Sequence, residues 1–268
     1  MQGSQENENE RNHEDMRVIA IMNQKGGVGK TVTTVNVAAT LANDYAKRVL
    51  AVDADPQANT TEFFGGLPAG ACSLGDLLRR IDVNEPIRPS NFPGVWLLGA
   101  DDSLMDLDLS SVKSKAADVA ALANLLAKRE RDFDFVLIDC PPAFNAASAA
   151  ALLAADDVVI PIKPDAFSLR GMANLLRQIR NMQEINPALR LAGLLPTMVY
   201  RSEQVKKAME ILQASDFHVF TPIRRTTKVD DMTFAQRPLV LSSPKSAACQ
   251  DYRRFVRELV RGGAGHGV

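Results

Sequence analysis

Seven short apolar runs alternate with longer stretches of helical spacing along this chain. Runs at 17–23, 48–54, 94–98, 134–139, 157–162, 191–197 and 218–221 are read as strands. Most are continuous aliphatic sequences such as "RVIAIM" and "FVLID", the pattern of strands covered on both faces. Between them the spacing predicts helices at 30–43, 73–80, 113–129, 145–155, 168–184, 202–214 and 247–261. Ser73 and Asp76 have capping-box spacing, and Ser202 is placed as an N-cap. This alternation predicts an α/β fold, a mostly parallel β-sheet flanked by helices on both faces. No internal repeat appears, and no linker is long enough to divide the chain, so residues 16–268 are read as one domain. The opening "MQGSQENENERNHED", residues 1–15, is polar throughout after Met1. It cannot bury enough apolar surface to order itself and is read as a disordered tail.

Composition sharpens this picture. Hydrophobic residues make up 46% of the 268 but aromatics only 6%, so aliphatic side chains and alanine must fill the core. Cys72, Cys140 and Cys249 are odd in number and far apart. They offer neither a disulfide framework nor zinc spacing, which favours a reducing, cytoplasmic setting. With no signal peptide and no long apolar segment, no membrane span is expected. The net charge of −1 hides an asymmetry: residues 1–162 carry −9 and residues 163–268 carry +8. A basic half is either a nucleic-acid surface or a solvated face whose charges fall unevenly.

The densest chemistry lies in "NQKGGVGKTVTT", Asn23 to Thr34, directly after the first apolar run. A standard phosphate loop ending at Gly29-Lys30-Thr31 would need glycine at position 24, where this chain has Gln24, and it carries a second lysine, Lys25. Gly26, Gly27 and Gly29 let the backbone wrap so that its N–H groups converge on phosphate oxygens, with the helix N-terminus adding partial positive charge. Lys30 would reach the β- and γ-phosphates, and the Thr31 hydroxyl would bind Mg²⁺. The helix opens on the β-branched series Thr31, Val32, Thr33, Thr34 and Val35. That is poor helix-forming sequence, so something besides helix stability fixes these residues.

Such a site needs carboxylates at the ends of neighbouring strands. "VLAVDADPQAN" supplies Asp53 and Asp55, and "FDFVLIDCPP" supplies Asp139 after four apolar residues. Asp139 suits the metal shell. Asp55 either orients the attacking water or caps a helix starting at Pro56. Cys140 is read as a small thiol at the core edge, without chemistry.

Taken together, "KGGVGKT", "VLAVDADPQAN" and "FDFVLIDCPP" resemble the deviant Walker A, switch I and Walker B segments of the ParA/MinD ATPases. The resemblance continues through "ADDVVIPIKPDAFSLRGMANLL", "LAGLLPTMVYR" and "TPIRRTTKVDDMTFAQRPLV", so it covers nearly everything after Met16. It implies ATP and Mg²⁺ as cofactors and a homodimer in which each subunit's Lys25 touches the phosphates of its partner's ATP. It further implies that Lys25, Gly26, Gly27, Val28, Gly29, Lys30, Thr31 and Val32 surround the phosphates. Asp55 would govern hydrolysis, Asp139 would be the Walker B aspartate, and Asp53 would lie near the metal. Thr197, Met198 and the loop from Pro222 to Arg225, with Arg224, would meet the base. Three positions depart from the family pattern: Val32 for a usual threonine, Arg170 for a frequent glutamate, and Asp230-Asp231 for Ser-Glu. None removes a phosphate or metal ligand; they bear on turnover.

Within the family, ParA-type proteins bind DNA nonspecifically as ATP dimers and are released when ParB stimulates hydrolysis, whereas MinD-type proteins bind membranes through a C-terminal amphipathic helix. "IRRTTKVDD" resembles the DNA-contacting segment of ParA, which makes Arg225 and Lys228 the first candidates for DNA contact. Arg224, Arg201 and Arg253 follow. Tyr252, Phe255, Val256 and Leu259 form a helical apolar stripe, but such a stripe more often faces a core, and glycines follow it. The expectation is therefore a ParA-like, nucleoid-associated partition ATPase with a ParB-like partner, with the MinD-like membrane reading as the alternative. About sixteen residues precede the first strand, too few for the helix-turn-helix domain of larger partition proteins. The cysteines do not supply the cluster ligands of a nitrogenase-reductase-like protein, and three tyrosines are too few for the tail of a bacterial tyrosine kinase.

Overall fold

Inside a seven-stranded sheet, β1 (Arg17–Ile21) is bracketed by two later strands, β5 (Phe135–Asp139), the middle strand, and β6 (Asp157–Ile162). The computed structural model describes residues 16–81, 85–113 and 117–262, without the side chains of 111 and 166–171. The expectations for residues 1–15, for the glycine tail and for the Arg170 side chain lie outside these. The remaining strands are β2 (Val49–Asp53), β3 (Arg88–Pro89), β4 (Val95–Leu98) and β7 (Arg190–Pro196). Their order is β3-β4-β2-β5-β1-β6-β7, parallel throughout except for the two-residue edge strand β3. Fold class and parallel pairing are as the apolar runs predict.

Alternate residues of each central strand enter different cores. Val18, Ala20, Leu50, Val52, Val136 and Ile138 pack on one face, and Ile19, Val49, Ala51, Phe135 and Leu137 on the other. Two-sided burial is what the continuous aliphatic runs encode. The first face is covered by α3 (Leu74–Leu78), α5 (Ala121–Lys128), α6 (Ala146–Ala154) and α7 (Ala166–Gln183). The second is covered by α1 (Lys30–Tyr45) and α11 (Ala247–Gly262). The chain thus leaves β1 onto one face and β6 onto the other. This opposition of neighbouring strands opens a crevice at their C-terminal ends, where ligands settle in sheets of this kind.

The predicted caps are present. The Ser73 hydroxyl and the Asp76 carboxylate satisfy each other's backbone N–H groups, and Ser202 accepts from Val205 N–H at the start of α8 (Glu203–Gln213). Three readings differ. The predicted 113–129 helix is instead α4 (Leu109–Lys113) and α5. The segment before α5 is turned by Asp118, whose N–H donates to the Leu78 carbonyl while its carboxylate accepts from Ala120 N–H. The run at 218–221 forms no strand. It lies beside β7 in two isolated parallel bridges, Leu194 with Val219 and Val199 with Arg224, and Pro222 between them has no N–H to continue the ladder. The segment "TKVDDMTF" is a helix, α9 (Thr227–Phe234), capped by the Thr226 hydroxyl. Its apolar positions are too few to show helical spacing. Two short helices also escaped notice, α2 (Asn59–Phe63) and α10 (Leu239–Ser242).

The C-terminal apolar stripe is core. Tyr252, Phe255, Val256 and Leu259 are all buried in the cluster that includes α1. Among the described residues no helix is long and apolar enough to cross a membrane.

Candidate active site

The loop between β1 and α1 carries the site. Gly27 and Gly29 have φ of +69° and +90°, a left-handed backbone that favours glycine, and a Cβ at Gly26 or Gly27 would meet nothing within 4 Å. The first hydrogen bond of α1 runs from Thr33 N–H to the Gly29 carbonyl, 2.9 Å. The N–H groups from Gly26 to Val32 find no acceptor among the described residues. Seven consecutive donors around open space form a concave, partially positive surface.

Two side chains of the first helical turn complete it. Lys30 is buried, and its ammonium has one long hydrogen bond, 3.4 Å to the Lys25 carbonyl. A buried ammonium whose hydrogen bond among the described residues is to a carbonyl, with the Asp139 charge nearby, is suited to an anion. The Thr31 hydroxyl donates to Asp139 Oδ2 at 2.6 Å. The β-branched series therefore has assignable duties: Thr34 donates to the Lys30 carbonyl, Thr33 pairs with the Tyr252 hydroxyl, and Val35 fills the core.

Asp139 ends β5 in register with Asp53 at the end of β2. Burial holds the Asp139 carboxyl above the usual carboxylate range, against the hydroxyls of Thr31 and Thr60, which favour its charge. Asp53 is raised too, by burial first and then by the charge of Asp139. The two carboxylates have different duties. Both oxygens of Asp53 are taken: Oδ1 accepts from Asp55 N–H, and Oδ2 accepts from the Thr61 N–H and hydroxyl. Asp53 thus lies beside Asp139, where the resemblance places it near the metal, and its carboxylate also shapes the 55–61 turn. Asp139 Oδ2 accepts from Thr31 and Thr60, whereas its Oδ1 is buried without a hydrogen-bond partner among the described residues. That orphan oxygen beside a threonine hydroxyl fits Mg²⁺. The ion binds proteins through one or two oxygen ligands plus phosphates and water, so the absence of a three-residue cluster among the described residues is no obstacle. Thr60 was missed, because nothing in "DPQANTTEF" distinguishes it before the turn is known.

Asp55 caps no helix. Its carboxylate accepts from Gln57 N–H in a local turn, and α2 begins only at Asn59, behind Ala58. It stands half-buried, near enough for its charge to act on Asp139.

On the other side of the loop a cavity of about 480 Å³ opens from Gly29 and Val32. Thr197, Met198, Tyr200, Lys163 and the stretch from Ile223 to Thr227 line it, as do Val229, Asp230 and Tyr252. Met198 takes a left-handed φ of 55°, a local strain common beside ligands. The Thr197 hydroxyl donates to the Val28 carbonyl at 2.7 Å, so this residue also fixes the loop. Pro222 is not part of the wall. Lys163 and Tyr200 are, and sequence reading had passed over both.

The basic candidates separate. Arg224 reaches Asp251, which is buried, through its N–H, Nε and Nη2, and Arg253 is held by Asp44 and the Pro244 carbonyl. Arg224 and Arg253 therefore tie elements of the fold together. Lys228 pairs with Asp231 across one helical turn, both exposed. The exposed Arg225 guanidinium has no partner among the described residues. Lys25, the second loop lysine, places its Nζ 2.9 and 3.0 Å from the two oxygens of Asp165.

A parallel sheet whose first strand feeds a glycine loop, with a buried lysine and a carboxylate-bound threonine behind it, is the phosphate-handling core of a P-loop nucleotide hydrolase. Comparison with known proteins agrees. A family model described as an AAA domain matches residues 16–191. The chain is 32% identical over 258 residues to the sporulation initiation inhibitor protein Soj of Bacillus subtilis, covering 92% of this chain and 99% of that one. It is 33% identical over 253 residues to the chromosome partitioning protein ParA of Caulobacter vibrioides, covering 91% and 94%. Cobyrinic acid a,c-diamide synthase from Mycobacterium smegmatis, solved with bound ADP and magnesium, superposes with a TM-score of 0.78 at 31% identity, over 93% and 96% of the two chains. The chain belongs to the ParA family of ParA/MinD-type P-loop ATPases.

Proposed function

We propose that this ATPase is a partition protein: it binds Mg²⁺-ATP, closes into a dimer around two nucleotides, holds DNA nonspecifically in that state, and releases it after hydrolysis stimulated by a ParB-like protein. The observation that carries the reading is a second lysine, Lys25, on a loop whose own phosphate lysine is already present as Lys30. One subunit needs one such lysine; two subunits sharing each nucleotide need both. The names of the relatives, chromosome partitioning and Soj proteins, support the cellular role.

In this reading the N–H groups of Gly26 to Val32 and the Lys30 ammonium receive the phosphates. Thr31 and Asp139 would hold the metal, which when bound would supply neutralisation of phosphoryl charge. Asp55 orients the attacking water and accepts its proton. Asp53 and Thr60 keep Asp55 and Asp139 in place. The cavity beyond Gly29 takes the nucleoside. Residues 16–268 act as a single ATPase domain, preceded by the polar tail at 1–15. Exposed Arg225, with Lys228 behind it, supplies phosphate contacts to DNA, and dimerisation doubles them, making the second contact set intramolecular. No described feature favours the MinD-like membrane reading, because the apolar face of α11 is buried.

The test titrates the protein with ATP or ADP onto unrelated DNA duplexes and onto anionic vesicles at several salt concentrations. Sequence-independent DNA binding that requires ATP is expected, with a log-log salt slope of roughly −0.9 per phosphate neutralised. Vesicle binding without DNA binding would replace this reading with the membrane one.

A further inference from the structure

We propose that a cavity at the opposite end of β1 from the phosphate loop is a second ligand site, one that takes a small amphipathic anion, a carboxylate or phosphate head on an apolar body. Its volume of about 580 Å³ falls in the range of small-molecule pockets. Arg17 lines it, and Asn23 begins the phosphate loop six residues further on, about 20 Å along an extended chain. No residue of the nucleoside cavity takes part in it.

The sheet edge builds this space. Leu191 and Gly193 of β7 face the consecutive residues Val158 and Val159 of β6, so Ala192 is an inserted residue. Bulges of this kind recur next to active sites, because they bend the strand and re-aim its side chains. Gly193 takes a φ of +151°, and a Cβ there would stand 2.6 Å from the His218 carbonyl oxygen. Only glycine lets the 218–220 segment lie so close. The walls are then apolar: Leu191 and Ala192 from β7, Phe220 beside them, and Leu259 of α11.

Charge at the rim selects the ligand. Asp157 is buried and accepts from Arg17 Nε at 2.7 Å and from Arg190 Nη2 at 3.3 Å. Arg17 Nη1 donates to the Leu259 carbonyl at 2.5 Å, and the Glu258 carboxylate accepts from the Thr221 N–H and hydroxyl. Both carboxylates are thus engaged by groups of this chain. The guanidiniums keep donors over: Arg17 Nη2, Arg190 Nε and Nη1, and the exposed Arg261 have no partner among the described residues. His218 stands at the same rim, its ring edge-on to Phe220. Surplus guanidinium donors over apolar walls match a molecule that is apolar along its body and acidic at one end, since the planar fork fits carboxylate and phosphate oxygens. A neutral ligand would cover these donors without pairing them, which costs affinity.

Isothermal titration calorimetry on the full chain tests this, with saturating Mg²⁺-ADP to occupy the nucleotide site. Octanoate and octyl phosphate are the probes, and octan-1-ol is the neutral control. Saturable one-to-one binding of at least one anion is expected, roughly five-fold or more tighter than the alcohol. Octanoate alone would assign a carboxylate head, and octyl phosphate alone a phosphate head. Arg190→Gln removes exposed donors while Arg17 still holds Asp157, and should weaken anion binding roughly five-fold. Ala192→Leu fills the apolar wall and should abolish binding. Both variants should keep the wild-type affinity for Mg²⁺-ADP, since neither residue belongs to that site. No saturable binding, alcohol binding as tight as that of the anions, or undiminished anion binding in Arg190→Gln overturns the proposal, whether or not Ala192→Leu folds.

Discussion

The two flanks of the phosphate loop are built differently. Toward β5 and β2 the two strand-end carboxylates are buried and, apart from Asp139 Oδ1, hydrogen-bonded among the described residues: Thr31 and Thr60 donate to Asp139, and Thr61 and the Asp55 N–H donate to Asp53. Toward β6 and β7 the wall is open, lined by Lys163, Arg225, Tyr200 and a strained Met198 around a cavity of about 480 Å³. The closed flank has one geometry available and suits the metal and the attacking water, whose positions must be held tightly for phosphoryl transfer. The open flank can accept a nucleoside and present cations outward. Chemistry is preorganised on one side of the loop and binding on the other.

Substitutions can break this contrast, beginning with the largest effect. Removing a buried charge that faces an anion costs about 2–5 kcal/mol, so Lys30→Ala should weaken Mg²⁺-ATP binding roughly thirty-fold or more in a fluorescent-nucleotide titration. On the closed flank, Asp55→Ala should keep nucleotide affinity within a few-fold while turnover falls by roughly a factor of 10², read by phosphate release. Undiminished turnover would leave Asp55 as a turn former only. Thr60→Val removes one of two hydroxyls from a buried carboxylate, a loss of about 1–3 kcal/mol. The melting temperature of the nucleotide-free protein should fall by roughly 2–4 °C per kcal/mol.

On the open flank two adjacent arginines should diverge. Arg225→Ala should leave stability unchanged within about 0.5 kcal/mol and reduce the salt slope of DNA binding by about 1. Arg224→Ala should instead destabilise the fold by about 1–3 kcal/mol, because Asp251 is buried and loses its partner. Equal effects of the two on DNA and on melting would erase the distinction.

The same contrast explains what the sequence made legible. The sheet was readable because strands buried on both faces must be continuous aliphatic runs, and Gly27, Gly29, Lys30, Thr31 and Asp139 because phosphate chemistry demands those residue types in order. The structural duty of Asp53 was not legible for a physical reason: an aspartate at a strand end beside the site reads as a site residue, and only the turn from 55 to 61 shows what its oxygens hold. Thr60 was invisible for the same reason, since its role depends on where that turn delivers it. Arg224 and Arg225 are indistinguishable as letters. Only the approach of Asp251 from α11, 27 positions away, separates them. Helix α9 was missed because its ends are set by the Thr226 cap and by packing of Met232 in the second core, with little apolar spacing to announce it.

The account turns on one lysine. Sedimentation velocity of the wild-type protein and of Lys25→Ala, each with ADP and with Mg²⁺-ATP, tests it most directly. The wild-type chain is expected to be a monomer with ADP and a dimer with ATP. Lys25→Ala, still able to bind nucleotide through Lys30 and Thr31, should remain a monomer with both. An ATP dimer of undiminished strength in Lys25→Ala would contradict the account.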